Sequence, residues 1–221
     1  MSILFLVLKI FGWILLVMLG LFVFVQTVVR LVKYFVHCPS PAFVPYVINN
    51  PIRRKFSPPR RVLDYVDIDK GMKVLEVGPG TGFYTFEVSQ CAGLSGHIYA
   101  VDVKPRMIAE LKRRTERGGV ENITAKVASA CEIPLPSRSV ERAFMVGVLA
   151  EIPDKQKVLS EIHRVLTGDG LLAVAECLVD PDYPRRKSVI HWCRDAGFKL
   201  IGNYGSALLY VLIFKSLVGD E

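Results

Sequence analysis

A strand-like run that ends in closely spaced glycines constrains this chain more than any other feature. The segment VLEVGPGTGFYT covers residues 74–85, with glycines at Gly78, Gly80 and Gly82. Glycine lets a backbone turn tightly and approach a ligand closely, and the amino end of a following helix carries a partial positive charge. The segment therefore predicts a nucleotide-binding turn between a first strand and a first helix.

The spacing excludes two common kinds of nucleotide loop. The dinucleotide fingerprint G-x-G-x-x-G needs a third glycine where this chain has Phe83, and no G-x-x-x-x-G-K-[ST] segment of a P-loop occurs. The second expected strand ends in IYAVD, which places the acid Asp102 twenty-six residues after Glu76. An acid there can accept hydrogen bonds from both hydroxyls of a ribose, although it can also cap the next helix.

Strand and helix patterns alternate along the rest of the chain. Strands are predicted over residues 73–78, 97–102, 123–127, 141–147, 170–177, 198–203 and 207–214, and helices over 58–66, 83–91, 105–117, 154–166 and 185–196. This alternation predicts an α/β fold with a Rossmann-like, doubly wound seven-stranded sheet. The last connection is too short for a parallel crossover, so the last strand pair should be antiparallel at the sheet edge.

An apolar segment precedes this fold. Residues 10–29 carry no charge, and a helix of that length spans a hydrocarbon core of about 30 Å. A cleaved signal peptide has a shorter apolar region that ends in small residues, whereas this run ends in Arg30-Leu31-Val32-Lys33. We therefore expect a transmembrane anchor helix over residues 1–37. A helix lying in the membrane interface is the alternative, because Lys9 and Gly12 could shorten the span.

The excess basic charge belongs to the amino-terminal part of the chain. Residues 1–61 hold 8 basic and no acidic side chains, while the remainder holds 20 basic and 21 acidic ones. A nucleic-acid binder would carry its basic residues on the folded domain, so we expect anionic lipid rather than nucleic acid as the partner. The positive-inside rule predicts a single-pass membrane protein with its globular part on the cytoplasmic side.

A proline-rich basic segment over residues 38–61 separates the anchor from the globular domain, which we place at 62–221. Apolar and basic residues alternate in it, which is typical of a collar on the headgroup region, although a plain spacer also fits. The five cysteines and four histidines are scattered, so we expect reduced thiols and no metal site.

Three motifs carry a family resemblance: VLEVGPGTG, IYAVDVKPRMI and EIPDKQKVLSEIHRVLTGDGLLAVAE. Over residues 53–214 the chain resembles the class I S-adenosylmethionine-dependent methyltransferases. It is most similar to their ubiquinone and menaquinone C-methyltransferase branch and to membrane-anchored relatives. The resemblance implies S-adenosylmethionine as the cofactor.

The resemblance also implies roles for individual residues. Glu76 would meet the methionine amino group, Asp102 the ribose hydroxyls, and Val103 would pack on the adenine. The methionine and ribose part would lie in a cradle formed by Gly78, Pro79, Gly80 and Gly82.

The remaining cofactor contacts are expected after the third and fourth strands. Ser129, in ASACEIPL, stands where relatives often carry an acid that meets the adenine amino group. The hydroxyl of Ser129 and the backbone of Ala130 could still read the base. Gly147 and Val148 follow the fourth strand, where the transferable methyl group lies in relatives.

A general base is needed only if the acceptor must lose a proton before it attacks. The candidates for this catalytic role are Glu151, Tyr183 and His191. Glu151 stands where relatives often carry histidine, and Tyr183 follows the fifth strand on the side of the expected acceptor. None of the three forms a recognisable catalytic motif with its neighbours.

Three functions remain open. The anchor favours methyl transfer to a lipophilic acceptor, either a quinone-type or isoprenoid lipid or an aminophospholipid headgroup. A small amphiphilic thiol or amine is a second class of acceptor. The third hypothesis is a membrane-tethered protein that binds S-adenosylmethionine without turnover. The sequence leaves the oligomeric state open.

Overall fold

The computed structural model describes residues 2–35, 59–178, 180 and 182–217. The chain divides into two compact units, Met1–Pro39 and Ser40–Glu221. Most of the collar predicted over residues 38–61 lies outside the described residues, so the structure does not test that prediction.

The first unit is one long helix, α1, over Ser2–Phe35. Its segment Phe5–Val25 has a mean hydropathy of 2.6 and is long and apolar enough to cross a membrane. This segment begins five residues before the predicted span of 10–29, because the single charge of Lys9 does not interrupt the helix. Signal sequences near an amino terminus share this length and composition, so the membrane span remains a prediction.

The second unit is built on a seven-stranded sheet in the order β3-β2-β1-β4-β5-β7-β6. Its strands are β1 Lys73–Val77, β2 His97–Asp102, β3 Ile123–Val127, β4 Val140–Val146, β5 Leu166–Cys177, β6 Phe198–Gly205 and β7 Leu209–Ser216. Strands β1 to β5 are parallel, whereas β7 runs antiparallel to both β5 and β6. The predicted α/β sheet with an antiparallel last pair is therefore confirmed.

Helices cover both faces of this sheet. They are α2 Arg60–Leu63, α3 Thr85–Ala92, α4 Pro105–Arg117, α5 Lys155–Val165 and α6 Arg186–Asp195, with a 3₁₀ turn at Leu149–Glu151. On one face, Val158 of α5 and Val189 of α6 belong to the same buried cluster as Leu172 of β5. On the other face, residues of α2 and α3 pack with alternate residues of the same strands.

Local sequence explains where the helices begin. Pro105 occupies the first turn of α4, where its fixed φ suits the helix and its missing N–H costs nothing. Asp154 caps α5, because its Oδ1 accepts a hydrogen bond of 2.9 Å from the amide of Lys157. Both signals are visible in the sequence.

Most predicted elements differ from the structure by one or two residues at an end, and the largest differences are at β5 and α2. Strand β5 begins at Leu166 rather than at residue 170, because Leu166 pairs with Val140 before a shift in register towards Arg142. Helix α2 is confined to Arg60–Leu63, and residues 65 and 66 continue in tighter turns rather than in an α-helix.

The strand order places a crevice at one edge of the sheet. From β1 the chain moves outward through β2 to β3, and it then returns to the other side of β1 through β4. In open α/β sheets, ligands bind outside the carboxyl ends of the strands at such a reversal. The Gly-rich turn lies there, because it follows β1 directly.

Candidate active site

The glycine loop after β1 is held in a conformation that only glycine adopts without strain. Gly78 has a φ of 72° and Gly82 one of 87°. The Gly78 amide donates to the Val101 carbonyl at 2.8 Å, which fixes the loop to β2. A Cβ added to Gly78 would overlap Cγ2 of Val148, which follows β4. The loop is therefore a tight cradle between the ends of three neighbouring strands.

Helix α4 supports the cradle from its far side. The Arg114 guanidinium donates to the carbonyl of Thr81 and lies 4.9 Å from the centre of the Phe86 ring. A Cβ on Gly82 would come within 2.7 Å of Leu111 Cδ1, so no larger side chain fits there. These contacts hold the loop in place before any ligand arrives.

Glu76 is a buried acid at the end of β1. The residue is only 2% exposed, and its Oε2 has no hydrogen-bond partner in the protein. Burial raises the pKa of Glu76 to about 8; the Asp102 charge adds to this rise, while the Thr85 hydroxyl opposes it. An ammonium group would supply the missing partner and the opposite charge. Glu76 thus fits the expected contact with a methionine amino group.

Asp102 ends β2 and links the cradle to α4. Its Oδ2 accepts from the Gly80 amide at 3.3 Å, and its Oδ1 accepts from the Lys104 amide at 2.9 Å. Burial raises the pKa of Asp102, although these two hydrogen bonds work in the opposite direction. The carboxylate therefore orders the loop and also caps the next helix. Its remaining lone pairs fit the predicted contact with ribose hydroxyls.

The expected adenine end is bordered by exposed apolar side chains. Val103 is 65% exposed and Val127, at the end of β3, is 53% exposed. Ser129 is exposed and begins a turn, because its Oγ accepts from the Cys131 amide at 3.2 Å. Ala130 packs against the core. Sequence reasoning missed Val127, although its place at the carboxyl end of a parallel strand was a usable signal.

Two of the three catalytic candidates lie at this edge. Glu151 stands in the 3₁₀ turn after β4, with its Oε2 4.0 Å from Lys104 Nζ, and its charge contributes to the raised pKa of Asp102. The Tyr183 hydroxyl donates to the Ala207 carbonyl at 2.8 Å, so it already holds the turn between β6 and β7. Burial raises the pKa of Tyr183.

His191 lies apart from the other candidates. Its side chain is 69% exposed on α6, and its Nε2 is 3.3 Å from the carboxylate of Asp195 on the same helix. No contact found within the described part of the chain joins His191 to the glycine loop, Asp102 or Glu151. The catalytic roles of Glu151, Tyr183 and His191 stay predictions.

A second buried acid, Glu176, was missed by the sequence reasoning. It lies near the end of β5 with no exposed surface, and neither carboxyl oxygen has a partner in the protein. Burial raises its pKa well above the usual value, and the charges of Asp180, Glu151 and Asp182 raise it further. The signal was available, because an acid ends the apolar run LLAVAEC as Glu76 does in KVLEV.

The backbone at Gly147 is hydrogen-bonded to β5 at the residue before Glu176. It follows β4 with a φ of 66°, and its amide donates to the Ala175 carbonyl of β5 at 2.9 Å. A Cβ on Gly147 would lie 3.2 Å from Asp180 Oδ2. The backbone therefore passes close to a carboxylate at the position predicted for the reacting methyl group.

Within residues 2–35, 59–178, 180 and 182–217, no group of three or more His, Cys, Asp or Glu side chains is arranged to hold a metal ion. The cysteines described there, Cys91, Cys131, Cys177 and Cys193, are free thiols.

A family model described as a methyltransferase domain matches residues 68–203. The chain is 29% identical to an arsenite methyltransferase of Halobacterium salinarum over 52% of this chain and 29% of that protein. It is 31% identical to a ubiquinone/menaquinone biosynthesis C-methyltransferase of Psychromonas ingrahamii over 53% of this chain and 47% of the relative. The chain thus spans less than half the length of either relative.

The fold also matches solved structures. A SAM-dependent methyltransferase from Aquifex aeolicus superposes with a TM-score of 0.76 at 24% sequence identity. The match covers 81% of this chain and 100% of the Aquifex chain. The part left over in this chain is therefore an addition to the fold that the two share.

Proposed function

The chain belongs to the methyltransferase domain family, and from this premise we propose that it transfers the methyl group of S-adenosylmethionine to a lipophilic acceptor at the cytoplasmic surface of a membrane. The cofactor assignment rests on one observation: two acids, Glu76 and Asp102, lie at the ends of the neighbouring strands β1 and β2. Glu76 is buried with one unpartnered oxygen, and the partly buried Asp102 keeps lone pairs beyond the two hydrogen bonds that it accepts. Gly78 admits no larger side chain, and a glycine turn lets the backbone approach a ligand closely.

The residues of the site have a simple task. S-adenosylmethionine supplies an already activated methyl group, so transfer is an in-line displacement that depends mainly on positioning and the exclusion of water. Glu76 holds the amino group, Asp102 holds the ribose, and Val103 with Val127 borders the base. The glycine cradle fixes these contacts relative to the end of β4, where Gly147 leaves space beside the backbone.

The acceptor proposal draws on two observations. The relative from Psychromonas ingrahamii is named for a step in quinone biosynthesis, which makes a lipophilic acceptor plausible by homology. Helix α1 has a segment long and apolar enough to hold the domain at a bilayer. Eight basic side chains in residues 1–61 favour the cytoplasmic leaflet and its anionic lipids.

Two alternatives keep the same cofactor site. A small amphiphilic thiol or amine could accept the methyl group, with the anchor serving only to locate the protein. A membrane-tethered protein that binds S-adenosylmethionine without turnover is the other, and the occupied hydroxyl of Tyr183 and the exposed His191 favour it over an enzyme with a dedicated base.

Methyl transfer is tested with the full chain held in nanodiscs, methyl-labelled S-adenosylmethionine and a total lipid extract from the source organism. We expect label in the organic phase, and the Asp102→Ala protein should abolish it. Label that stays in the aqueous phase on a small acceptor would move the function to the first alternative. Cofactor binding with no labelled product in either phase would support the non-catalytic one.

A further inference from the structure

The turn between β6 and β7 presents apolar side chains to solvent. Because β7 runs antiparallel to β5, this turn lies at the carboxyl ends of the parallel strands, at the same edge of the sheet as the glycine loop. Leu208 in the turn is 64% exposed, and Leu178, which follows β5, is 38% exposed. The Leu178 amide donates to the Leu208 carbonyl at 2.8 Å, so the two residues are neighbours. We call Leu178, Leu208 and the exposed Ala207 the apolar tip.

The turn is held in place by side chains from outside the hairpin. The Tyr183 hydroxyl donates to the Ala207 carbonyl at 2.8 Å, and Arg186 Nη2 donates to the Ser206 carbonyl at 2.7 Å. Together with the bond to the Leu208 carbonyl, these contacts give each of three consecutive carbonyls a donor within the protein. A carbonyl without a partner is costly in an apolar environment. The turn therefore keeps these hydrogen bonds when it leaves water.

Basic side chains flank the apolar tip. Helix α6 begins beside it with Arg185, Arg186 and Lys187 in succession, and no acid lies in the first turn of that helix. The backbone in a first turn carries a partial positive charge, so basic residues there add to an unfavourable excess. Arg186 is bound to the turn, whereas Arg185 and Lys187 are exposed. Neither of these two side chains has a hydrogen bond or ion pair within the described part of the chain.

The segment that carries this surface differs in charge from the rest of the domain. Residues 183–208 hold 5 basic side chains and 1 acid, Asp195, which lies at the far end of α6. Asp180 and Asp182 come just before the segment, and their charges act on the buried Glu176. Beyond its basic amino-terminal part, the chain as a whole holds 20 basic and 21 acidic side chains, so positive charge is concentrated here. Apolar side chains beside basic ones are typical of a surface that rests on an anionic leaflet.

We propose that the apolar tip and the exposed pair Arg185 and Lys187 form a membrane-docking edge, whose partner is the surface of an anionic bilayer. Leu178 and Leu208 enter the interfacial region, and the basic pair meets lipid phosphate. This contact belongs to the second unit alone and is additional to any span formed by α1. Because the tip and the crevice lie at the same edge of the sheet, docking brings the crevice next to the bilayer. Delivery of an acceptor along this path rests on the proposed function.

Tryptophan fluorescence of the full chain in nanodiscs tests this contact. Leu208→Trp places a tryptophan at the tip, and lipids brominated on their acyl chains quench a tryptophan that enters the bilayer. After subtraction of the signal of Trp13 and Trp192 in the unaltered chain, we expect at least about twofold quenching in nanodiscs that contain phosphatidylserine. Leu94→Trp is the matched control, because Leu94 is 91% exposed in the turn before β2, at the opposite edge of the sheet. Its tryptophan should not be quenched.

The basic pair is tested by combining Arg185→Gln and Lys187→Gln with Leu208→Trp. Each basic side chain near an anionic surface strengthens binding roughly fivefold, so the loss of both should remove most of the quenching. Replacement of phosphatidylserine by phosphatidylcholine should have the same effect. Lys112→Gln with Arg117→Gln removes the same charge from exposed positions in the last turns of α4 and should leave the quenching unchanged.

Three results would overturn the proposal. The first is a tryptophan at position 208 that is quenched no more than one at position 94. The second is quenching that depends neither on phosphatidylserine nor on the basic pair. The third is a blue-shifted emission that brominated lipid does not quench, which would show that protein, such as a second copy of this chain, covers the tip.

Folding and turnover are followed separately. Thermal unfolding should be unchanged in each variant, because every replaced side chain is exposed. If Leu208→Trp lowers the unfolding temperature, Ala207→Trp places the reporter at an exposed position of the same turn, with the same expected result. Labelled lipid without quenching at the tip would leave the proposed function standing and this inference wrong. Quenching at the tip without any labelled product would do the reverse.

Discussion

At the scale of single residues, the site is characterised by acids that are buried where acids are normally exposed. Glu76 and Glu176 are each the next-to-last residue of an apolar strand, and one oxygen of Glu76 and both oxygens of Glu176 have no partner in the protein. Such groups make the empty protein less stable, and a ligand with complementary groups recovers that free energy on binding. The stability that these acids cost the ligand-free protein is therefore a measurable sign of a ligand-binding role.

Glu76 makes the empty protein less stable as the pH rises. Its pKa is about 8 in the folded chain against a usual value of 4.5, so the folded state is penalised once the unfolded chain ionises. The penalty is absent below pH 4.5, grows between pH 4.5 and 8, and is constant above that range. We expect Glu76→Gln to raise the free energy of unfolding by about 3 kcal/mol at pH 7.

Denaturant unfolding of the cofactor-free protein at pH 4.5 and pH 7 measures this effect. The gain should shrink towards zero at the lower pH, and the variant should lose most of its affinity for S-adenosylmethionine. A Glu76→Gln protein that is less stable than the unaltered chain at pH 7 would contradict the assignment of a raised pKa.

Asp102 tests the ribose contact. Asp102→Ala removes the acceptor for two hydroxyls and also the hydrogen bond to the Gly80 amide. Hydrogen bonds to a charged group contribute about 1.5–3 kcal/mol each, so we expect the affinity for S-adenosylmethionine to fall about 100-fold. Asp169→Ala removes an exposed acid of β5 and should have no effect on cofactor affinity. Equal affinities for the two variants would show that Asp102 does not hold the ribose.

At the scale of elements, the cradle depends on backbone conformation more than on side chains. Its glycines adopt positive φ, and two of them lie against neighbouring side chains. The turn could be predicted from the sequence, because a tight turn after a strand needs glycines at this spacing. The contacts that enforce the spacing, from Val148 after β4 and Leu111 of α4, join residues far apart in the chain and could not be read from it.

Gly78→Ala and Gly82→Ala should both destabilise the fold and abolish cofactor binding. An alanine at either position is strained by its positive φ and meets neighbouring atoms, which together cost roughly 2–4 kcal/mol. Gly168→Ala is the matched control, since nothing lies within 4 Å of its added Cβ. Thermal unfolding should separate the two groups; a control as unstable as the loop variants would discredit the packing argument.

Local sequence was sufficient to predict the limits of some helices and strands but not of others. Helix α4 and strands β2 and β3 occupy their predicted residues, because Pro105, a following glycine and clear apolar runs mark their limits. The early start of β5 was missed, because the Thr167-Gly168-Asp169-Gly170 segment resembles a turn and is drawn into the sheet by pairing at Leu166. Glu176 was missed as well, although an acid near the end of the apolar run LLAVAEC was a usable signal.

At the scale of the whole molecule, the chain consists of an apolar helical unit and a second unit that holds the candidate cofactor site. The segment Phe5–Val25 is suited to a bilayer by length and composition, while the domain fold matches an Aquifex protein along the whole of that chain. The helix lies outside residues 68–203, which the methyltransferase family model matches, and its purpose is a separate question from cofactor binding.

Removal of residues 1–37 should therefore change location without changing the cofactor site. The full chain should stay in the membrane pellet after alkaline carbonate extraction, whereas the shortened protein should be soluble and bind S-adenosylmethionine with similar affinity. We expect lipid labelling to fall in the shortened protein, because the acceptor is no longer held nearby. A full chain that extracts with carbonate would refute the transmembrane anchor.

The claim on which the rest depends is that the cradle after β1 binds S-adenosylmethionine. The most direct measurement is a calorimetric titration of the full chain in nanodiscs with S-adenosylmethionine, with S-adenosylhomocysteine and with NAD. We expect a single saturable site for each of the first two ligands and no binding of NAD, because the NAD-binding loop needs a glycine where this chain has Phe83. Binding of NAD, or the absence of any site for S-adenosylmethionine, would contradict it.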